Sequence, residues 1–308
     1  MTITNLLGIK YPIFQGAMAQ IARHELVSAV SNAGALGILA SGGVSPEELR
    51  KEIQQCKELT DKPFAVNLML MMPNIDEIID VVIEEGVKIV TTGAGTPRKF
   101  MPRLKEAEIK VIPVIPSVKA AVKMEELGCD AVVVEGMEAG GHVGTSTTMA
   151  LLPQVTSAVN IPVIAAGGIA DGRGMAAAYC LGANGVQMGT VFLASEECPV
   201  TDEYKNMILE AVDTSTTLTG EKFGAPVRGI KNELTKKYHE LEERSSTLME
   251  LEELTLGSLR RAVYDGDVEN GSVMAGQIAG LVNEILPVKN IIEDVIKEAR
   301  EVLKRTEI

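Results

Sequence analysis

The sequence predicts an α/β protein, a (β/α)8 TIM barrel with a small helical insertion between strand eight and the last helix. Three observations lead there. Short apolar runs recur about every 25 residues, eight in all, at residues 12–15, 36–40, 64–70, 88–92, 111–115, 131–135, 162–166 and 185–189. Most lack polar alternation, as strands buried on both faces do in parallel sheets. Helix-start signals fall between them, giving a βα repeat whose eight units close a barrel.

Each helix start has a local reason. Ser45-Pro46-Glu47-Glu48 reads as a capping box with proline in the first turn, and Leu49, Ile53 and Cys56 then share one face. Asn74 with Glu77 repeats the box before Ile78, Ile79 and Val82. Thr96-Pro97 and Ser117 mark two more starts, and Asp171 caps a helix through 176–181. A doubly wound sheet is the alternative architecture; no GxGxxG after the first run supports it.

Composition shifts after about Ser195. Residues 196–265 are charged and read as helices over 203–212, 230–244 and 249–264, with no strand pattern. The expected division is a barrel of residues 1–195 and 266–308, with 196–265 as the insertion. Residues 266–279 form a glycine-rich return loop. Residues 289–303 carry Ile291, Ile292, Val295, Ile296, Ala299 and Leu303 on one stripe, which suits a closing helix.

Hydrophobic residues make up 46% of the 308, ample for a large core. The net charge of −13 argues against nucleic acid, which needs a basic footprint. No run approaches a membrane span, and residues 1–10 carry no signal-peptide pattern, so a cytoplasmic protein is expected. Cys56, Cys129, Cys180 and Cys198 are scattered without a CxxC. Idle thiols in a reducing compartment are expected, and no metal-ligand set.

In a barrel, function sits on the loops after the strands' C-terminal ends. The sixth run leads into Glu135-Gly136-Met137-Glu138-Ala139-Gly140-Gly141-His142-Val143-Gly144, with four glycines, two carboxylates and one of only three histidines. His142 lies beside glycines on this loop, so a substrate-facing role is expected; His24 and His239 lie in helical patterns and are assigned to structure or solvent. Glu135 and Glu138 form an acid–base pair, or Glu135 anchors a ring; spacing leaves both open.

The seventh run ends in Gly167-Gly168 and the eighth in Gln187-Met188-Gly189-Thr190, where barrels often bind phosphate with backbone amides and a helix N-terminus. Thr190 adds a hydroxyl. Gly16-Ala17-Met18 after the first run leaves room for a flat ring, and Asn67 can both donate and accept at a ring edge or serve as a core amide. Residues 271–277 reach the active face as a lid or form a plain connection. Arg228, Lys231, Lys236 and Lys237 make a local basic run, either a solvated helix face or a dock for an acidic partner.

Together, Tyr11–Ala19, Lys88–Gly95, Glu135–His142, Ile161–Gly172 and Asp267–Leu281 with its Gly-Ser-Val-Met-Ala-Gly-Gln core resemble a known family. The chain resembles the flavin-dependent enoyl-[acyl-carrier-protein] reductases of type II, within the nitronate monooxygenase (2-nitropropane dioxygenase) superfamily, nearly end to end. The resemblance implies a barrel that binds FMN and uses NADH or NADPH. It implies that Gly16, Ala17 and Met18 contact the isoalloxazine, with Asn67 and Glu135 near the ring or ribityl chain. Gly167, Gly168, Gly189 and Thr190 would hold the phosphate. Met274 and Gln277 would approach the flavin, and Gly140, Gly141 and Gln187 complete the expected set. His142 matches the active-site histidine. Some members use a monovalent cation.

The implied reaction carries hydride to the β-carbon of a 2-enoyl thioester, on acyl carrier protein or coenzyme A, with a proton added at the α-carbon. A homodimer is expected. The alternative is a nitronate monooxygenase, which uses dioxygen; members of that group usually read Gln-Gly where this chain has Glu135-Gly136. Residues 238–256 match the family poorly.

Overall fold

The computed structural model describes residues 2–244 and 247–305. Its strands are β1 (Ile13–Gln15), β2 (Gly37–Ala40), β3 (Phe64–Met69), β4 (Ile89–Gly93), β5 (Lys110–Ile115), β6 (Val132–Glu135), β7 (Gly141–His142), β8 (Val163–Ala166), β9 (Gly185–Met188), β10 (Thr216–Thr219) and β11 (Val227–Ile230). Eight of them run parallel in the order β1-β9-β8-β6-β5-β4-β3-β2. A parallel bridge from Phe14 to Leu36 brings β1 back to β2 and closes the barrel. The buried Gln15 side chain extends that seam: its Oε1 accepts from the Ile38 amide at 3.0 Å and its Nε2 donates to the Gly16 carbonyl. The expected barrel and all eight expected strands are present.

The strands' two faces bury separate cores, which is why the runs show no alternation. Phe14, Ile38, Ala65, Ile89, Ile112, Val133 and Ile164 fill the barrel interior. Val66, Val90, Val111, Val132 and Val186 pack outward against the helices. Each fully buried side chain of this size is worth roughly 1.5–3 kcal/mol. A short helix, Ile3–Leu7, joins Ile3, Leu7 and Ile9 to the interior cluster and plugs the N-terminal mouth. The opposite mouth is left for function.

Ser45 and Glu48 form the reciprocal box, at 2.8 and 3.2 Å. Ser117 caps through the Ala120 amide at 3.3 Å. Asn74 does not cap: its Nδ2 donates to the Val44 carbonyl at 3.1 Å, tying two loops together instead. Thr96 makes no side-chain cap either. The closing helix spans Val288–Arg305 and buries Ile291, Ile292, Val295, Ile296 and Ala299, while Leu303 is exposed.

The segment after β9 departs from the all-helical expectation. Helices Asp202–Leu209, Glu233–Glu243, Leu248–Thr255 and Ser258–Tyr264 are present, but β10 and β11 form an antiparallel hairpin between the first two. That hairpin adds β7 as its third strand, pairing Val227 with His142 and Arg228 with Gly141. The expected single helix over 249–264 is broken at Gly257, whose φ of 69° is left-handed. Within the weakly matching stretch 238–256, residues 245 and 246 lie outside the described residues. Cys56, Cys129 and Cys198 are buried and Cys180 is exposed, all as free thiols. Burial pushes Cys129 and Cys198 up to about 11, so both stay protonated.

Candidate active site

The loop after β6 is clamped on three sides. Glu138 turns away from the barrel axis: both its oxygens lie 2.9 Å from the Thr148 amide and one accepts from Thr148 Oγ1 at 3.1 Å. It therefore caps helix Thr148–Thr156, where a carboxylate is favoured by the helix dipole. The acid–base pairing with Glu135 is not formed. Gly136 makes this cap possible, since a Cβ there would stand 2.1 Å from Thr148 Oγ1 and 2.4 Å from the Thr148 amide.

The second clamp is the return loop. The Gln277 amide donates to the Glu138 carbonyl at 2.9 Å, and Gly140 and Gly276 approach backbone to backbone. A Cβ on Gly140 would lie 2.7 Å from the Ala275 carbonyl carbon, and one on Gly276 2.7 Å from the Glu138 oxygen. The return loop is itself held by Thr190, whose Oγ1 accepts from the Gly276 amide at 2.8 Å, and by the buried Tyr204, which donates to the Met274 carbonyl at 3.0 Å. The third clamp is β11. Beyond the two strand pairs, the Val143 amide donates to the Pro226 carbonyl at 3.1 Å. His142 ends up exposed, its ring without a hydrogen-bond partner among the described residues. His24 instead lies 3.0 Å from a Glu52 oxygen, and His239 3.0 Å from Thr217 Oγ1, consistent with structural roles.

At the open mouth, one residue beyond the interior core on several strands is polar. Asn67, Glu135 and Gln187 continue the inward faces that carry Ala65, Val133 and Gly185. Asn67 Nδ2 donates to Thr91 Oγ1 at 2.9 Å, and its side-chain oxygen has no partner among the described residues. Gln187 is only 8% exposed, yet its amide has no partner among the described residues, and neither has the Glu135 carboxylate. Desolvation alone pushes Glu135 up to about 7. A carboxyl raised in this way makes a definite contribution to stability. It favours the fold fully below the ordinary carboxyl range near 4.5, and that contribution is lost as pH rises through about 7. Glu135→Gln is expected to flatten the decline in flavin-free stability between those values. At pH 8 the variant gains about 1–3 kcal/mol over wild type. Chemical denaturation across pH checks this; parallel curves for the two proteins would contradict it.

The mouth glycines fall into two kinds. Gly167 and Gly168 have φ of 88° and 76°, a conformation that favours glycine. Gly16, Gly93 and Gly189 have neither a left-handed φ nor a crowding neighbour. Their nearest contacts to an added Cβ are 3.6 Å, 4.0 Å and 3.6 Å, and for Gly93 and Gly189 these are flexible methionine sulfurs. The protein itself does not require glycine there, so the bare backbone leaves room at the mouth, and with the Asn67 oxygen, the Glu135 carboxyl and the Gln187 side-chain amide unpartnered among the described residues it suits a flat polar ring. The residues fit a flavin on this count. Gly189→Ala is expected to leave flavin-free stability within about 0.5 kcal/mol and to weaken FMN binding tenfold or more. Thermal melts and FMN fluorescence titration test it; unchanged affinity would refute the role.

One helix N-terminus beside the expected phosphate loops is already occupied. The N-terminus of helix Gly172–Cys180 is filled by carboxylates: Asp171 accepts from the Arg173 and Gly174 amides at 3.0 and 3.1 Å, and Glu298 from the Gly172 amide at 2.8 Å. Two negative charges make it unsuitable for an anion. The amides of Gly168, Gly189 and Thr190 donate to no backbone carbonyl among the described residues and are available. The Thr190 oxygen accepts from the Gly276 amide, which leaves its hydrogen and a second lone pair for a ligand. Met18 borders Gly189, Met274 borders Gly141, and the Gln277 side chain is exposed. Arg228 leaves the expected basic run: it is 4% exposed, whereas Lys231, Lys236 and Lys237 are on the surface. Sequence reasoning missed Tyr204, Thr148 and the buried Arg228. Thr148, ten residues beyond Glu138, carried no spacing signal.

The nitronate monooxygenase family model matches residues 1–79 and 74–298. The chain is 37% identical to a probable nitronate monooxygenase of Staphylococcus saprophyticus over 98% of both chains. It is 36% identical to (3aS,4S,5R,7aS)-5-hydroxy-7a-methyl-1-oxo-octahydro-1H-indene-4-carboxyl-CoA dehydrogenase of Mycobacterium tuberculosis, covering 96% of this chain and 95% of the other. Among solved structures, FabK from Thermotoga maritima superposes with a TM-score of 0.96 at 51% identity, covering 99% of this chain and 98% of that one. A nitroalkane oxidase from Streptomyces ansochromogenes gives 0.88 at 28% identity, covering 99% of each. With the barrel and its polar, glycine-lined mouth, these matches assign the chain to the nitronate monooxygenase family, and it is a flavin-dependent oxidoreductase.

Proposed function

We propose that the protein reduces 2-enoyl thioesters, carried on acyl carrier protein or coenzyme A, with NADH or NADPH and FMN. The observation that carries this reading is the 51% identity to FabK across nearly the whole chain, against 28% to the nitroalkane oxidase. Glu135-Gly136-Met137, the form that the enoyl reductases share, supports it. The curated relative named for a carboxyl-CoA substrate adds that a coenzyme A thioester is accepted within the family.

In this reading Gly16, Ala17 and Met18 meet the flavin ring, with Asn67, Glu135 and Gln187 along its polar edge or ribityl chain. The amides of Gly167, Gly168, Gly189 and Thr190 hold the phosphate, and Gly140, Gly141, Met274 and Gln277 border the other side. The chemistry supplied by bound FMN is hydride exchange, from a reduced nicotinamide to the β-carbon of the enoyl thioester. His142 hydrogen-bonds the thioester oxygen as enolate charge develops, or delivers the proton to the α-carbon. The clamped loop holds that donor in place before substrate arrives. Residues 1–195 and 266–308 form the flavin-binding barrel, and 196–265 the insertion beside it.

Nitronate oxidation is the second reading, favoured by the family model and the Staphylococcus relative. Steady-state assays separate the two. Turnover of crotonyl thioester with NADH supports the reductase; turnover of propionate-3-nitronate with oxygen, and none of the thioester, replaces it with the monooxygenase.

A further inference from the structure

Arg228 is the one arginine on the hairpin that faces the His142 loop, and its surroundings are unusual for a charged group. It is buried on β11 opposite Gly141. Its Nε donates to the Met137 carbonyl at 3.1 Å and its Nη1 to Thr216 Oγ1 at 3.2 Å. No carboxylate lies within ion-pair distance among the described residues; Glu138 and Glu221 act on it only from farther away. Burying a charge against neutral oxygens alone is expensive, and a well-packed apolar residue could fill the same space at lower cost.

The connectivity explains what the guanidinium does. Among the described residues the exposed His142 ring has no partner to orient it, so its placement depends on the backbone of 141–143. That backbone is paired to β11. Arg228 carries β11 back to Met137, in the first half of the same loop. A closed ring results: Met137, Arg228, β11, Gly141 and His142. A planar guanidinium reaches Met137 and Thr216 at once, which a single ammonium cannot do in that geometry.

We propose that Arg228 is a positioning residue that fixes His142 at the barrel mouth by tying the hairpin to the start of the histidine loop. The role rests on the enoyl-reductase reading, in which His142 meets the substrate.

A double-mutant cycle on the FMN-loaded enzyme tests it. Arg228→Met and Arg228→Lys are each combined with His142→Ala, and kcat and KM for crotonyl thioester are measured beside flavin content and the rate of flavin reduction by NADH. Expected are full flavin content, reduction by NADH within about twofold of wild type, and a kcat at least tenfold lower with KM little changed. Each double variant should be no slower than His142→Ala alone, because the arginine acts through the histidine. Multiplying effects would overturn the positioning role, and so would loss of flavin or fold in both arginine variants, which would make Arg228 a folding residue. Wild-type enzyme without enoyl turnover would fail the functional reading, and the role with it. Wild-type turnover combined with multiplying effects would fail the role alone.

Discussion

His142→Ala is expected to lower enoyl thioester turnover by about 10²-fold while FMN stays bound and is still reduced by NADH. The size follows from removing one positioned proton donor, a group worth 10²–10⁴ in rate. The selectivity follows from position. His142 is exposed at the rim, and among the described residues its ring makes no hydrogen bond or ion pair with Asn67, Glu135 or Gln187. Its backbone, not its ring, is paired to β11, so truncating the ring leaves the loop clamped. The effect should fall on kcat and kcat/KM alike, as for an interaction made in the transition state. A variant that keeps near wild-type turnover would remove the catalytic role. One that loses flavin would make His142 a binding residue.

Gly136→Ala is expected to be the most damaging single methyl addition in the site, costing about 3 kcal/mol or more of stability. The added carbon would sit 2.1 Å from Thr148 Oγ1 and 2.4 Å from the Thr148 amide, and the second of these is backbone with little freedom to move. Thr148 cannot yield, because its hydroxyl also lies 3.1 and 2.8 Å from the Ala166 and Gly167 carbonyls at the end of β8. Relief would pull Glu138 off the helix N-terminus, releasing a charge-assisted cap and disturbing the β6 and β8 loops together. Gly224→Ala serves as control. Its φ of 71° is left-handed but nothing lies within 4 Å of an added Cβ, so the loss should be only about 1–2 kcal/mol. Thermal and denaturant unfolding of both variants measures the contrast. Equal losses would contradict the steric account of Gly136 and the Glu138 cap.

The barrel was legible because its strands are buried on both faces, and such strands announce themselves as unbroken apolar runs. The hairpin was hidden for the opposite reason. Thr216–Thr219 reads Thr-Thr-Leu-Thr, is half-buried throughout, and is stabilised by pairing with β11 and, through it, with a loop some 75–85 residues earlier in the chain. The histidine loop could be located but not resolved. Spacing placed Glu135 and Glu138 three residues apart and allowed an acid–base pair. The side chains part because Glu135 ends a strand facing the barrel, whereas Glu138 lies after Gly136 and meets a helix N-terminus that begins ten residues later. Arg228 looked like one of four neighbouring cations. Only the docking of β11 on β7 buries it and leaves Lys231, Lys236 and Lys237 outside. Asp171 was correctly expected to cap its helix, and it does so through the Arg173 and Gly174 amides.

The central claim is that electrons from a nicotinamide reach an enoyl thioester at this mouth. Anaerobic reduction of the FMN-loaded protein with NADH, followed by rapid mixing with crotonyl thioester or with oxygen, tests it most directly. The account predicts that NADH bleaches the flavin absorbance and that the thioester restores it faster than oxygen does, with one saturated thioester formed per flavin. A flavin that NADH does not bleach, but that a nitronate reduces and oxygen reoxidises, would contradict it.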